Sequence, residues 1–357
     1  LNRNFTSDNV TPASPAILAA IEAANAGCEP SYGNDRHSAR LAGLASAVFE
    51  TQVSIFPVAS GTAANALALA HIAPPYGGVY CDATAHVTTD ECGAPEFFTG
   101  GAKLLGLPSA DGKIRPAPLQ AAIAHARDMG VHHVKPAALS VTQATEWGTV
   151  YGSGEIAELT AVAREHDLRV HMDGARFANA LAHLGVSPAA ATWRAGVDVL
   201  SLGATKNGAL CAEAVVFFDP ARGADFARRR KQSGHLWSKM RFLSAQLVAY
   251  LDDDLWLANA RRANASAAAL AAGLREVPGA RLLRSVDANE VFVALPISAI
   301  ATLEAEGFGF YRWPVADAAP DVAIRLVTSY ATREEDVAGL LRAAGRAASQ
   351  EKQAGRA

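Results

Sequence analysis

Val170-His171-Met172-Asp173-Gly174-Ala175-Arg176 is the stretch that decides how this chain folds. The residues leading into it, Leu168–Met172, form a short apolar run suited to a buried strand, whereas Arg176–Leu184 has helical spacing. An acidic residue thus closes a strand, and a glycine follows it at once. In an open α/β sheet, ligands gather at the carboxyl ends of the strands, so Asp173 stands where a site would be built. The same carboxylate could instead cap the helix that follows. On this stretch alone the two readings are balanced.

Moving outward, the strand-then-helix unit recurs. Upstream, Val53–Val58 reads as a strand, Thr62–His71 as a helix, Gly78–Cys81 as a strand and Pro118–Arg127 as a helix. Ala137–Val141 then reads as a buried strand and Glu155–His166 as a helix; downstream, Asp198–Leu202 and Ala214–Phe218 are strand-like. Ahead of all these, Ser14 is placed to cap a helix that starts at Pro15 and runs to Gly27, and Ser38–Phe49 predicts a second. Strands alternating with helices predict an α/β fold with a mainly parallel sheet covered on both faces. After Pro220 the pattern changes. A long helix is expected over Arg222–Asp253 and another over Leu255–Arg275, then strands at Asn289–Leu295 and Ala323–Val327 and a last helix from Thr332 to about Ala347. The expected division is a large domain over 1–250 that includes the N-terminal segment, a small α+β domain over 251–348, and a disordered tail over 349–357.

Length and composition fit this. The 357 residues allow one large and one smaller domain; half are hydrophobic and 19% charged, enough apolar material for a sizeable core. A net charge of −3 gives no basic footprint for nucleic acid and no polybasic membrane anchor. No apolar run approaches the roughly 18 residues of a membrane span. Leu-Asn-Arg-Asn-Phe-Thr-Ser-Asp at the start lacks the apolar core of a secretory signal, so a cytoplasmic location is expected. Cys28, Cys81, Cys92 and Cys211 show neither metal-site nor disulfide spacing and are expected as reduced, mostly buried thiols.

Two further motifs share the strand-end position. Ala59-Ser60-Gly61-Thr62-Ala63-Ala64-Asn65 follows one strand and opens a helix. Free N–H groups and the helix dipole favour an anion there; Gly61 permits close approach, and the Ser60 and Thr62 hydroxyls add donors. By itself the motif is also an ordinary strand-to-helix turn. Leu200-Ser201-Leu202-Gly203-Ala204-Thr205-Lys206-Asn207-Gly208 places a lysine after a buried strand, among small residues and between two glycines. Such an amine suits imine formation, although a surface lysine in a loop would look similar. An anion nest, a strand-end carboxylate and a lysine at the edge of one sheet are together what pyridoxal 5'-phosphate (PLP) requires. They supply a phosphate seat, a partner for the pyridine nitrogen and a Schiff-base amine.

With these residues in view, the chain resembles the threonine aldolase and β-eliminating lyase group of fold-type I PLP enzymes. It is most similar to the low-specificity L-threonine aldolases, some of which act on phenylserine. The resemblance runs from Phe5-Thr6-Ser7-Asp8-Asn9 through Tyr32-Gly33, Ser60-Gly61-Thr62, His86 with Glu91, His171–Arg176 and Lys206 to Arg325-Leu326-Val327-Thr328. It implies that Ser7, Arg176 and Arg325 grip an amino-acid carboxylate, a guanidinium fork being matched to that group. Arg176 would otherwise bond the cofactor's phenolic oxygen. His86 would stack on the cofactor ring near the substrate hydroxyl, Glu91 would stand beside it, and Tyr32 would reach toward a neighbouring subunit's site. The implied reaction is cleavage of L-threonine, L-allo-threonine or phenylserine-like substrates to glycine and an aldehyde, in a homo-oligomer, with a tetramer favoured over a dimer. The same cofactor residues would also serve β-elimination, dehydration or racemisation.

One segment departs from the family pattern. Gln143-Ala144-Thr145-Glu146-Trp147-Gly148 holds no histidine where some relatives have one. The base for the β-hydroxyl proton is then His86 first, with Glu91 through a water and a cofactor phosphate oxygen as alternatives; His86 could also do no more than stack. No metal is expected: His132 and His133 are adjacent and read as a surface turn. Arg228-Arg229-Arg230-Lys231 reads as a solvated helix face, with a second, family-based reading in which a basic residue meets a phosphate across a subunit interface. Trp237, Trp256 and Trp313 read as packing residues.

Overall fold

The computed structural model describes residues 3–354 apart from 314, 316, 317 and 320. Seven strands build the large sheet: β1 (Ser54–Val58), β2 (Gly77–Asp82), β3 (Lys103–Leu107), β4 (Lys135–Thr142), β5 (Arg169–Gly174), β6 (Val199–Gly203) and β7 (Glu213–Phe217), in the order β1-β7-β6-β5-β4-β2-β3. β7 pairs antiparallel with both β1 and β6, while the other pairings are parallel. The remaining strands therefore all run one way, and the ends of β1, β5 and β6 open on a single edge. The mainly parallel α/β sheet expected from the alternation is the sheet that forms. Pro57 sits in β1, which is an edge strand, where the ladder tolerates a residue without an N–H.

Helices cover both faces: α1 (Pro15–Ala24), α2 (Arg36–Val48), α3 (Gly61–Ile72), the short α4 (His86–Thr89) and α5 (Ala94–Thr99), α6 (Pro116–Asp128), α7 (Ser153–Glu165) and α8 (Phe177–Leu184). α3 has no polar face. Ala63 through Ala70 are all buried, as a helix apolar on every side must be. That burial seats α3 against Val199, Val215 and Phe217 of the sheet and fixes where its first turn points. Ser14 precedes α1 as expected, but its side chain makes no capping bond and its hydroxyl is buried without a partner. α2 begins at Arg36, two residues before the expected Ser38, because Asp35 caps it, accepting from the Ser38 N–H at 2.9 Å.

Beyond the sheet the expected long helix is two: α9 (Phe226–Gln232) and α10 (Arg241–Leu251). Gly234, at φ +81°, takes the left-handed conformation that ends a helix, and the flanking basic and apolar residues mask this stop in the sequence. α11 (Leu255–Arg275) follows, then β8 (Arg281–Leu282), β9 (Glu290–Leu295), α12 (Ile297–Ala305), β10 (Tyr311–Arg312), β11 (Val322–Val327) and α13 (Glu334–Ala354). β10-β11-β9-β8 form a second, antiparallel sheet. The last helix thus continues past Ser349 to Ala354 rather than stopping near Ala347; the rest of the expected disordered tail, 355–357, lies outside the described residues.

Trp256 and Ala260 of α11 pack in the large core, while Leu270, Ala271 and Leu274 pack in the second, so one helix joins both. Phe5 also belongs to the second core, and its backbone bridges Gly309 and Val327. The N-terminal segment assigned to the large domain therefore packs with the smaller sheet. Apolar content alone carries no record of which core a side chain joins.

Three other expectations change. Cys28 and Cys92 are exposed, Cys211 is half-buried, and among the four thiols Cys81 is buried. Trp256 is buried and Trp313 packs on Trp147 and Phe292, but Trp237 is exposed. In the basic run Arg228 and Lys231 face solvent, whereas Arg230 is buried over the Phe56 ring at 5.4 Å. No helix among the described residues is long and apolar enough to cross a membrane.

Candidate active site

The ends of β1, β5 and β6 surround a cavity of about 380 Å³. Ser60, Gly61 and Thr62 line it at the start of α3, His86 from α4, Asp173 from the end of β5, and Lys206 after β6. The Ser60 hydroxyl caps α3 by accepting from the Ala63 N–H at 3.3 Å, and open space surrounds Gly61, where a side chain would meet nothing within 4 Å. A helix start that opens on a cavity, with free N–H groups and a roomy glycine, suits a phosphate.

Asp173 is held from both sides. Its Oδ1 accepts from the Ala175 N–H at 3.0 Å, and its Oδ2 accepts from Asn65 Nδ2 at 2.8 Å. The first bond holds the turn before α8 and is not the helix cap read in the sequence, because α8 starts at Phe177 with Arg176 at its cap position and no side-chain cap; the second is a contact across 108 residues of chain. Asn65 Nδ2 also donates to Glu91 Oε1 at 2.8 Å, and Glu91 Oε1 lies 2.9 Å from His86 Nδ1. A continuous chain therefore links His86, Glu91, Asn65 and Asp173. Glu91 raises the proton affinity of His86 through this bond, while burial raises that of Glu91 itself. With Nδ1 committed to Glu91, the imidazole has Nε2 left for a ligand. Beneath Asp173 on the same strand face, His171 bridges the Ser140 and Ser201 hydroxyls at 2.9 Å each. Burial pushes it down to about 4, so it is a neutral, fully bonded spacer between β4 and β6.

Lys206 lies in the single turn Thr205–Asn207. The turn closes at Gly208, whose φ of +109° favours glycine. Where β6 enters it, a Cβ on Gly203 would come within 2.4 Å of the Ala175 carbonyl oxygen, so the backbones after β5 and β6 touch only because position 203 is glycine. Asn207 ties the far side down, donating to Tyr250 Oη at 2.9 Å and to the Trp256 carbonyl at 2.8 Å.

The two arginines expected at a carboxylate are already partnered. Arg176 is buried; its Nε and Nη2 donate to Asp8 at 2.8 and 3.0 Å, and Nη2 lies 3.4 Å from Glu290. Nη1 takes part in neither pair. Arg325 stacks on Tyr311 and Trp313 at 5.3 and 5.0 Å, donates from Nη2 to the Thr6 carbonyl at 3.2 Å, and has Nη1 3.8 Å from Glu290. Glu290 is fully buried between them, with Oε1 near both guanidinium groups and neither carboxylate oxygen in a hydrogen bond.

Burial outweighs the arginines' attraction and pushes the Glu290 carboxyl up to about 7 from 4.5. The folded protein then holds a proton that the unfolded chain releases. Stability from this group is present below about 4.5 and is lost as the pH rises to about 7, a loss of about 3 kcal/mol. Glu290→Gln should remove that share, so its urea midpoint should fall less than the wild type's between pH 5 and 8. Parallel declines in the two proteins would refute this account.

Of the residues expected at the site, Ser60, Gly61, Thr62, His86, Asp173 and Lys206 share the cavity wall. Glu91 stands behind His86, and Arg176 and Arg325 do not line the cavity but are engaged by their carboxylate partners. The Ser7 hydroxyl accepts from the Asn9 N–H at 3.1 Å. Tyr32 is exposed, at φ +59°, with Lys231 Nζ 4.5 Å from its ring. Four residues had no role from the sequence: Asp8, Asn65, Glu213 and Glu290. Glu213 and Glu290 each open an otherwise apolar strand, a signal that could have been read; Asp8 and Asn65 carry no comparable local mark.

Comparison with known proteins places the chain among relatives. A profile described as beta-eliminating lyase matches residues 4–298. A low specificity L-threonine aldolase from Pseudomonas aeruginosa is 47% identical over 311 residues, covering 87% of this chain and 89% of that protein. Another, from Pseudomonas sp. (strain NCIMB 10558), is 45% identical over 312 residues, covering 87% and 90%. The solved structure of Leishmania major threonine aldolase superposes with a TM-score of 0.90 at 30% identity, over 97% of this chain and 99% of that one.

Proposed function

The chain belongs to the beta-eliminating lyase family, and we propose that it is an L-threonine aldolase, a PLP-dependent lyase that cleaves the Cα–Cβ bond of β-hydroxy-α-amino acids to glycine and an aldehyde. Threonine, allo-threonine and phenylserine-like compounds are the substrate class. The observation that carries this reading is that the start of α3, Asp173 and Lys206 line one cavity, with the bonded His86–Glu91 pair on its wall.

These residues fit the cofactor. Ser60, Gly61 and Thr62 would hold its phosphate, Asp173 its ring nitrogen and Lys206 its aldehyde carbon, with His86 against the ring. When bound, PLP supplies an electron sink for the pair left at Cα. The protein's share is placement and proton transfer. Asn65 and the Ala175 N–H hold Asp173 in one orientation. Arg325 and Ser7 orient the substrate carboxylate, with the Nη1 edge of Arg176 available to it or to the cofactor's phenolic oxygen. Asp8 and Glu290 hold Arg176 rigid for that task. His86 takes the β-hydroxyl proton at Nε2, while Glu91 supports the resulting positive charge.

A pH prediction follows from the last step. His86 acts as a base only when neutral, so kcat/KM should fall on the acid side of its titration. Glu91→Gln removes the charge that raises this titration, so the acid limb should move to lower pH while the maximum rate drops. A limb that stays in place would exclude the His86–Glu91 pair as the base. The activity itself is tested by incubating the PLP-loaded protein with each isomer of threonine and phenylserine. Equimolar glycine and aldehyde are expected. Keto acid with ammonia would mark an eliminating or dehydrating lyase instead, and an inverted amino acid a racemase.

The proposal extends to a cytoplasmic homo-oligomer, a tetramer before a dimer. Exposed Tyr32, Leu210 and Trp237 support it as apolar surface for further copies of the chain. Sedimentation of the PLP-loaded protein tests it.

A further inference from the structure

Glu213 opens β7, the strand that runs against the rest of the large sheet, and so stands at the edge where β1 and β6 end. Its register partners are Val58 and Gly203. The first leads into the turn that opens α3, the second into the Lys206 turn. The side chain lines the same cavity, yet its bonds go to the protein backbone. One carboxylate oxygen accepts from the Ala204 N–H at 2.9 Å and the other from the Thr205 N–H at 3.4 Å. The Thr205 hydroxyl bonds it as well, and itself accepts from the Ala212 N–H at 3.2 Å. Glu213 thus grips the two residues immediately before Lys206, as Asn207 anchors the residue immediately after it.

A neutral acceptor could hold those donors. A buried carboxylate carries a larger desolvation cost, and burial pushes this one up to about 7. Lys206 offsets part of that cost by attraction. Other groups share the surroundings: Asp8 and His86 also interact electrostatically with Lys206, Asp90, Asp173 and Cys211 line the cavity, and Tyr250 faces Glu213. Of the carboxylates among them, Glu213 is the one bonded to Ala204 and Thr205.

We propose that Glu213 is a positioning residue for Lys206, fixing the Thr205–Asn207 turn through Ala204 and Thr205 and supplying negative charge to the lysine nitrogen when the cofactor is bound. The inference rests on the assignment of Lys206 to PLP. The carboxylate, ionised above about pH 7 and attracted to the lysine, favours the protonated form of that nitrogen, so neutralising Glu213 should let the proton leave at lower pH.

The test follows the visible absorbance of the PLP-loaded protein against pH, with Lys206→Ala as the control for lysine dependence. Glu213→Gln should lower the midpoint by about one unit, and cofactor release during dialysis should quicken several-fold. Glu213→Ser is a second neutral variant, small enough to avoid a clash, and should shift the midpoint the same way. Glu213→Asp keeps the charge and should stay close to the wild-type midpoint. A wild-type band that titrates while both neutral variants keep its midpoint overturns this proposal alone. A wild-type band that survives Lys206→Ala overturns the cofactor assignment, and this proposal with it.

Discussion

Lys206→Ala is expected to lower turnover by on the order of 10⁴-fold or more and to remove the lysine-dependent absorbance of the PLP-loaded protein. No neighbouring amine can take over, because the cavity wall is otherwise built from hydroxyls, carboxylates, carboxamides, an imidazole, a thiol, alanine methyls and backbone. The turn itself should survive. It is held by Asn207 with Tyr250 and Trp256 on one side and by Glu213 on the other, none of which bonds the lysine side chain. The folded fraction should therefore match the wild type in circular dichroism. Such a loss of function with retained structure separates a cofactor lysine from the surface lysine that the local sequence also allowed. An active variant with an unchanged spectrum would end the assignment.

Asp173→Asn is the second large effect, with kcat expected to fall by about 10²–10³-fold. Asparagine caps a turn almost as well as aspartate, so a purely capping Asp173 predicts nearly full activity. A partner of the ring nitrogen predicts a deep loss, because the amide is uncharged. The amide also turns into a donor one of the two acceptor oxygens that now receive Asn65 Nδ2 and the Ala175 N–H. One of those bonds must then break, and Asn65 is linked onward to Glu91 and His86. The pH profile should change together with kcat, which loss of a cap alone would not produce. Turnover within a few-fold of wild type would favour the capping reading.

Much of this architecture was legible because its signals are local. A strand that ends in Asp-Gly-Ala-Arg, a strand that ends before Ser-Gly-Thr and a strand followed by a glycine-bracketed lysine are each contained in fewer than about ten residues. Hydrophobic period and end signals act over that range. The same locality explains the errors. Gly234 was lost in a basic, helix-favouring run, and the short α4 and α5 gave too few turns for a period to appear. β3, at the far edge of the sheet from β1, is half exposed and has a glycine next to its last residue, so its pattern does not read as a strand.

By itself, then, the sequence determined the α/β class, the motif order and three groups that meet on one cavity wall, since each is a property of one strand and its exit turn. Tertiary structure decided which groups meet. Asp8 reaches Arg176 across 168 residues, Asn65 reaches Asp173 across 108, and Phe5 joins a core built mainly from residues beyond 260. Pairings of this kind depend on strand order and on where a helix is seated. Those are set by the burial of whole faces at once. The reversal of β7 is the clearest case: it turns Glu213, which lies outside the quoted motifs, back to the edge where Asp173 and Lys206 emerge.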